Sequence, residues 1–198
     1  MQIISKNKEI PLRLWTVEDY HRMVEVGLLQ PDEAVELVAG QIIQKMSPQG
    51  TPHATTIRIV SRLLEKRLGE KALVQTQLPI QLNNFSEPEP DIAIIVADEL
   101  LYLDHHPFPS EVYLIIEIAD STLKRDCQIK AIDYGSSGIK DYWVLDINNR
   151  CLHLFRNGTE QGYEKETILQ ENETVSLLAF PDLKIEVGEM LPPNPQNY

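Results

Sequence analysis

Two carboxylates stand in apolar stretches that read as neighbouring strands. Asp91 follows Pro90 at the mouth of Ile92–Val96, and Glu117 sits one residue before the end of Val112–Ile118. Alternation along the second stretch puts Tyr113, Ile115 and Glu117 on one face, so the carboxylate belongs to a covered surface. A charge buried there costs several kcal/mol unless something compensates it. Two such carboxylates repel each other, and a divalent cation relieves the repulsion while supplying positive charge to a reaction. The competing account pairs Glu117 with a structural Lys or Arg, or leaves it at an exposed strand end. Spacing alone keeps both open.

A third residue favours the first account. Asp126, Lys130 and Tyr134 follow at i, i+4 and i+8, one stripe of a helix that can lean over the strand ends and bring the Lys130 ammonium towards the carboxylates. The plainer alternative is an Asp126–Lys130 surface pair, worth only about 0.3–0.5 kcal/mol. Phosphate-loop, serine-hydrolase, zincin and dinucleotide motifs are all absent. His105 and His106, beside Asp104, have no Cys or His at ligand spacing and read as a solvated loop.

These side chains need a scaffold, and the chain supplies one. Thr16 caps a helix that opens with Val17-Glu18-Asp19 and ends near Gly27. Glu36 to Met46 reads as a hairpin turning at Ala39-Gly40. Residues 53–68 form the clearest helix, with Ile57, Val60, Leu64 and Leu68 at helical spacing and Gly69 closing it. Alternation from Ala72 to Leu82 predicts a half-buried strand, and Glu87-Pro88-Glu89-Pro90 forces an extended entry into the next one. After Val112–Ile118 comes a helix over about 126–134, broken at Gly135–Gly138, and then strand Tyr142–Asp146, a parallel crossover. Cys151–Arg156 and Gly162–Leu169 add late antiparallel strands. The fold class is α+β or α/β: a mixed β-sheet flanked by helices. A single domain over 1–190 with a Pro-rich tail over 191–198 is expected.

Composition narrows the partners. The 198 residues are 42% hydrophobic and 24% charged, an ordinary globular balance. Thirty acidic against eighteen basic residues give a net charge of −12, which argues against broad nucleic-acid affinity but not against a local basic strip. One such strip exists: Arg58, Arg62 and Lys66 share a helix face, which is also what an ordinary solvated helix surface looks like. Cys127 and Cys151 are too few for a disulfide framework, and no signal-peptide core stands at the N-terminus. The longest apolar run, Ile92 to Ala97, is six residues against the roughly 20 that span a bilayer, so a cytoplasmic protein without membrane contact is expected.

Pro90-Asp91, Glu117 at the end of its strand, Ser121-Thr122, Asp126, Lys130 and Tyr134, leading to Tyr142-Trp143-Val144-Leu145-Asp146, resemble the Uma family. Those are restriction-endonuclease-like proteins of the PD-(D/E)xK nuclease superfamily, and the resemblance covers nearly the whole chain. It implies a restriction-endonuclease-like core with Asp91 and Glu117 as ligands of Mg²⁺ (or Mn²⁺), and the Ile118 carbonyl as a further ligand. The lysine of the short motif is missing, since Ala119 stands two residues after Glu117; the resemblance assigns its role to Lys130, with Lys124 as competitor. It further implies that Glu36 supports the metal and that His53, inward-facing on the long helix, orients a phosphate or a carboxylate. The implied activity is metal-assisted hydrolysis of DNA, with the Arg58, Arg62 and Lys66 strip as weak DNA contact. A homodimer follows by analogy, because a double-strand cut needs two centres. Two rival readings are a non-catalytic binding module that keeps the fold, and a metal-dependent hydrolase of a small phosphorylated substrate.

Overall fold

The computed structural model describes residues 12–30, 32–45 and 50–193. Most of the expected 191–198 tail, the N-terminal segment and the expected hairpin end at Met46 lie outside those residues. The order begins with α1 (Val17–Glu25), β1 (Val35–Val38), β2 (Gln41–Gln44), α2 (Thr51–Leu68), β3 (Ala72–Thr76), β4 (Ile92–Val96) and β5 (Val112–Ala119). A helical arm follows: α3 (Leu123–Arg125), a π-helical stretch (Asp126–Lys130) and α4 (Ala131–Ser136). Then come β6 (Asp141–Asp146), β7 (Cys151–Thr159), β8 (Gly162–Gln170), β9 (Thr174–Leu177), β10 (Phe180–Glu186) and α5 (Val187–Met190).

A six-stranded sheet in the order β3-β4-β5-β6-β7-β8 carries the fold. Only β5 and β6 run parallel within it; the other neighbours are antiparallel. β4, β5 and β6 are buried nearly throughout because both faces are covered, which explains their near-continuous apolar runs. On one face, Ile57, Val60, Leu64 and Leu68 of α2 and residues of the β9–β10 hairpin and α5 pack against Ile94, Ile116 and Trp143. On the other, Ala131 and Tyr134 of the arm pack against Ile115, Tyr142, Val144 and Phe155. Among the described residues no helix is long and apolar enough to cross a membrane.

Local chemistry explains most boundaries. Thr16 caps α1 in a reciprocal box with Asp19, and β1 and β2 pair across Ala39-Gly40, where both residues have positive φ. Gly69, at φ 56°, ends α2, which starts at Thr51, two residues before the expected start, with Pro52 in its first turn.

Three expectations need correction. The strand after Ala72 stops at Thr76, because Gln77 takes φ 50° and Pro79 removes a ladder donor. Tyr113 does not share a face with Ile115 and Glu117. A register shift between β4 and β5 pairs Ile94 with Leu114 but Ile95 with Val112, and this bulge turns Tyr113 onto Phe180 of the opposite face. The arm begins at Leu123 rather than 126. Its π stretch also changes the spacing that a regular helix would give Asp126 and Lys130.

The arm meets the β7–β8 hairpin with backbone against backbone. A Cβ on Gly135 would sit 2.7 Å from the Gly162 carbonyl carbon, and one on Gly158 would sit 2.8 Å from the Gly135 oxygen.

Candidate active site

β4 and β5 set the two carboxylates side by side. Ile92 pairs with Ile116, and one further step along that antiparallel register brings Asp91 across from Glu117. Asp91 is then fixed from two sides. The Ile118 N–H donates to its Oδ2 at 2.9 Å, and His53 Nε2, in the first turn of α2, lies 3.1 Å from the same oxygen. Glu117 is buried and held differently. Its Oε1 accepts from Lys130 Nζ and from the Tyr134 hydroxyl, each at 2.8 Å. Lys130 thus reaches Glu117, from a π-helical stretch rather than a regular helical stripe, a pairing that the competing account of Glu117 also foresaw. The Asp126–Lys130 surface pair does not form, since Asp126 is buried and bonded to Thr122.

Glu36 enters from β1. Its Oε2 accepts from the Glu89 N–H at 3.1 Å, while Oε1 lies 3.8 Å from Lys130 Nζ with no hydrogen-bond partner. All five expected residues, Glu36, His53, Asp91, Glu117 and Lys130, therefore line one cavity of about 400 Å³. Lys124 does not line it and is exposed, which removes the competitor on positional grounds. His105 is elsewhere, beside Glu111 at 3.2 Å and stacked on Phe108.

The cavity is acidic. Glu36, Glu89, Asp91, Glu117, Asp120 and Asp126 face only Lys45, Arg125 and Lys130 among permanently charged cations. Lys45 is already paired with Glu89. Burial pushes the Glu117 carboxyl up to about 8 despite the pull of Lys130, and the charges of Asp91 and Asp126 add to the rise. Burial also works against the Lys130 ammonium, yet Glu117, Glu36 and Asp126 outweigh it and hold Lys130 above its ordinary range. The hydrogen bond to Asp91 raises His53, opposed by burial, so the imidazolium is favoured. Burial raises the Tyr134 phenol well above its usual value, which keeps it a donor to Glu117.

Arg125, Asp120, Lys45 and Glu89 on the cleft wall, and Tyr134 behind Glu117, are among the residues to which sequence reasoning assigned no role. Tyr134 carried a signal, its place one turn beyond Lys130 on the same stripe. Arg125 carried none.

The architecture is thus a mixed six-stranded sheet with helices on both faces and an acidic cleft at the strand ends. The family described as "Uma2: Putative restriction endonuclease" matches residues 17–188, and the chain belongs to that family. A solved structure titled as a "putative nuclease belonging to DUF820" from Anabaena variabilis shares the fold. Its TM-score is 0.68 at 17% identity, covering 91% of this chain and 97% of that one. Comparison with curated proteins gave no match.

Proposed function

We propose that this chain is a metal-dependent endonuclease that hydrolyses phosphodiester bonds in DNA, with Mg²⁺ (or Mn²⁺) held at Asp91 and Glu117. The observation that carries the reading is the buried Lys130 ammonium in contact with Glu117 inside a cleft where acids outnumber cations. Such a cleft repels a phosphodiester until positive charge is added. The residues suit a hard divalent cation. Two oxygen donors come from adjacent strand ends, and Glu36 Oε1 and Asp126 Oδ1 are buried acceptors without hydrogen-bond partners, each 3.8 Å from a cation, Lys130 and Arg125 respectively. Asp91 and Glu117 are not part of a tight three-donor cluster among the described residues. When bound, the ion polarises the phosphate and lowers the pKa of a coordinated water.

The chain's own residues divide the remaining work. His53 and the Ile118 N–H hold Asp91 in orientation. Lys130 and Tyr134 hold Glu117 in orientation, and the Lys130 ammonium orients the nucleophilic water and offsets charge developing on phosphorus. Arg125, on the cavity wall, is placed to meet a non-bridging phosphate oxygen. Arg58, Arg62 and Lys66 are exposed on α2 and offer phosphate contacts along the duplex.

The test is cleavage of supercoiled plasmid in Mg²⁺ or Mn²⁺ beside Asp91→Ala and Glu117→Ala. Nicking by the wild type that disappears in both variants supports the reading. Nicking that survives either substitution removes this site. A cavity of about 400 Å³ also falls within the range of small-ligand sites, roughly 300–1,000 Å³. Hydrolysis of a small phosphate ester without nicking would favour the small-substrate reading. Metal binding without either activity would favour the binding module.

A further inference from the structure

Outside the cleft, a second set of metal-type donors gathers on the same sheet face, two strands away. Cys151 and His153 stand at i and i+2 of β7, so both side chains take that face. Asp146 lies directly across from Cys151, and Glu166 is diagonal to His153. Cys127 comes down from the π-helical stretch. Two overlapping triads result, Asp146/Cys151/His153 and Cys127/His153/Glu166, and in each the donor atoms lie within 4.8 Å of one another.

The imidazole is arranged as a ligand would be. His153 Nδ1 sits 2.6 Å from Glu166 Oε1, the outer carboxylate contact that fixes a metal-binding tautomer. Its other nitrogen, Nε2, is 3.7 Å from Cys151 Sγ and 4.0 Å from Asp146 Oδ2. Metal bonds of about 2.0–2.3 Å in a tetrahedral shell set donors roughly 3.3–3.8 Å apart, so only small shifts are needed. Asp146 Oδ1 is taken by the N–H groups of Asn148 and Asn149. Its Oδ2 accepts one bond, from Asn149, which leaves a lone pair. Both cysteines are free thiols.

We infer that His153 Nε2, Cys151 and Asp146 form a three-donor site for a borderline-soft divalent cation of the Zn²⁺ type, its fourth position left to solvent. Glu166 orients the histidine. The Cys151 thiol releases its proton to solvent as its sulfur bonds the metal. Mixed sulfur, nitrogen and oxygen donors suit Zn²⁺, whereas Mg²⁺ takes oxygen. The role is structural. Asp146 stands on β6 and Cys151 and His153 on β7, so the ion would tie those two strands together at the end of the sheet.

Co²⁺ as a spectroscopic probe tests this on the full chain. One equivalent should produce thiolate-to-cobalt charge-transfer absorption with tetrahedral visible bands, displaced by Zn²⁺. The signal should persist in Asp91→Asn/Glu117→Gln, which assigns it away from the cleft, and should vanish in Cys151→Ser and His153→Asn. Glu166→Gln, at an exposed position with little folding risk, should weaken Co²⁺ about 10–100-fold. No charge-transfer absorption in the wild type overturns the inference. So does absorption that persists in Cys151→Ser, or affinity unchanged in Glu166→Gln.

Discussion

At the residue scale the site turns on one oxygen, Glu117 Oε1, which accepts from both an ammonium and a phenol. Removing the phenol in Tyr134→Phe should cost about 1.5–3 kcal/mol in denaturant unfolding above pH 8, where Glu117 is ionised, the range for a hydrogen bond to a charged group. Cleavage should fall with it, because Glu117 loses one of two groups fixing its rotamer. Lys130→Met should cost more, about 3–5 kcal/mol near pH 8, since a buried carboxylate is left unpaired. That penalty should shrink as pH falls and Glu117 takes up a proton. The sign follows from the shift. Glu117 is raised from 4.5 to about 8, so the folded chain binds an extra proton between those values and Glu117 erodes stability as pH rises through that window. In the proposed site, protons and Mg²⁺ compete for the Glu117 carboxylate. Calorimetric Mg²⁺ affinity should therefore tighten by about tenfold per pH unit up to about pH 8 and level off above it. A flat profile would count against Glu117 as a ligand. Asp91 and Glu117 could be read from sequence because an acid within an apolar run announces itself. Arg125 could not, because its place is set by the arm's path across the sheet.

At the element scale, helices and central strands were legible where burial imposed a period. α2 kept its stripe of Ile57, Val60, Leu64 and Leu68, and all four are buried. Elements whose register depends on partners were not. The β9–β10 hairpin turns at Leu178-Ala179 without the Gly or Asn that marks a tight turn, and Pro181 sits inside its second strand. The bulge at Tyr113 has no local signature, since both of its faces are apolar. The π-helical stretch is equally silent in sequence, yet it carries Asp126 and Lys130. Deleting Gln128 would convert it towards a regular α-turn and rotate Lys130 away from Glu117. The expected outcome is a folded protein, by circular dichroism, with cleavage reduced at least as far as in Lys130→Met.

At the scale of the whole molecule, −12 of net charge opposes a polyanion, and the strip on α2 is what offsets it. Arg67 contributes less, because it is paired with Glu189 at 2.6 Å. Neutralising Arg58, Arg62 and Lys66 together should lower the slope of log affinity against log salt by about 2.7 for duplex DNA, measured by fluorescence anisotropy. An unchanged slope would move the DNA path off α2. The glycine seam between the arm and the β7–β8 hairpin has a reach of its own. A methyl group at Gly135 finds only main-chain atoms of Gly162 in its way, so the arm must lift as a unit. Lys130 and Tyr134 ride on that arm, five residues and one residue before Gly135. The active-site lysine is thus aimed from behind, by the absence of a side chain on the far side of its own helix.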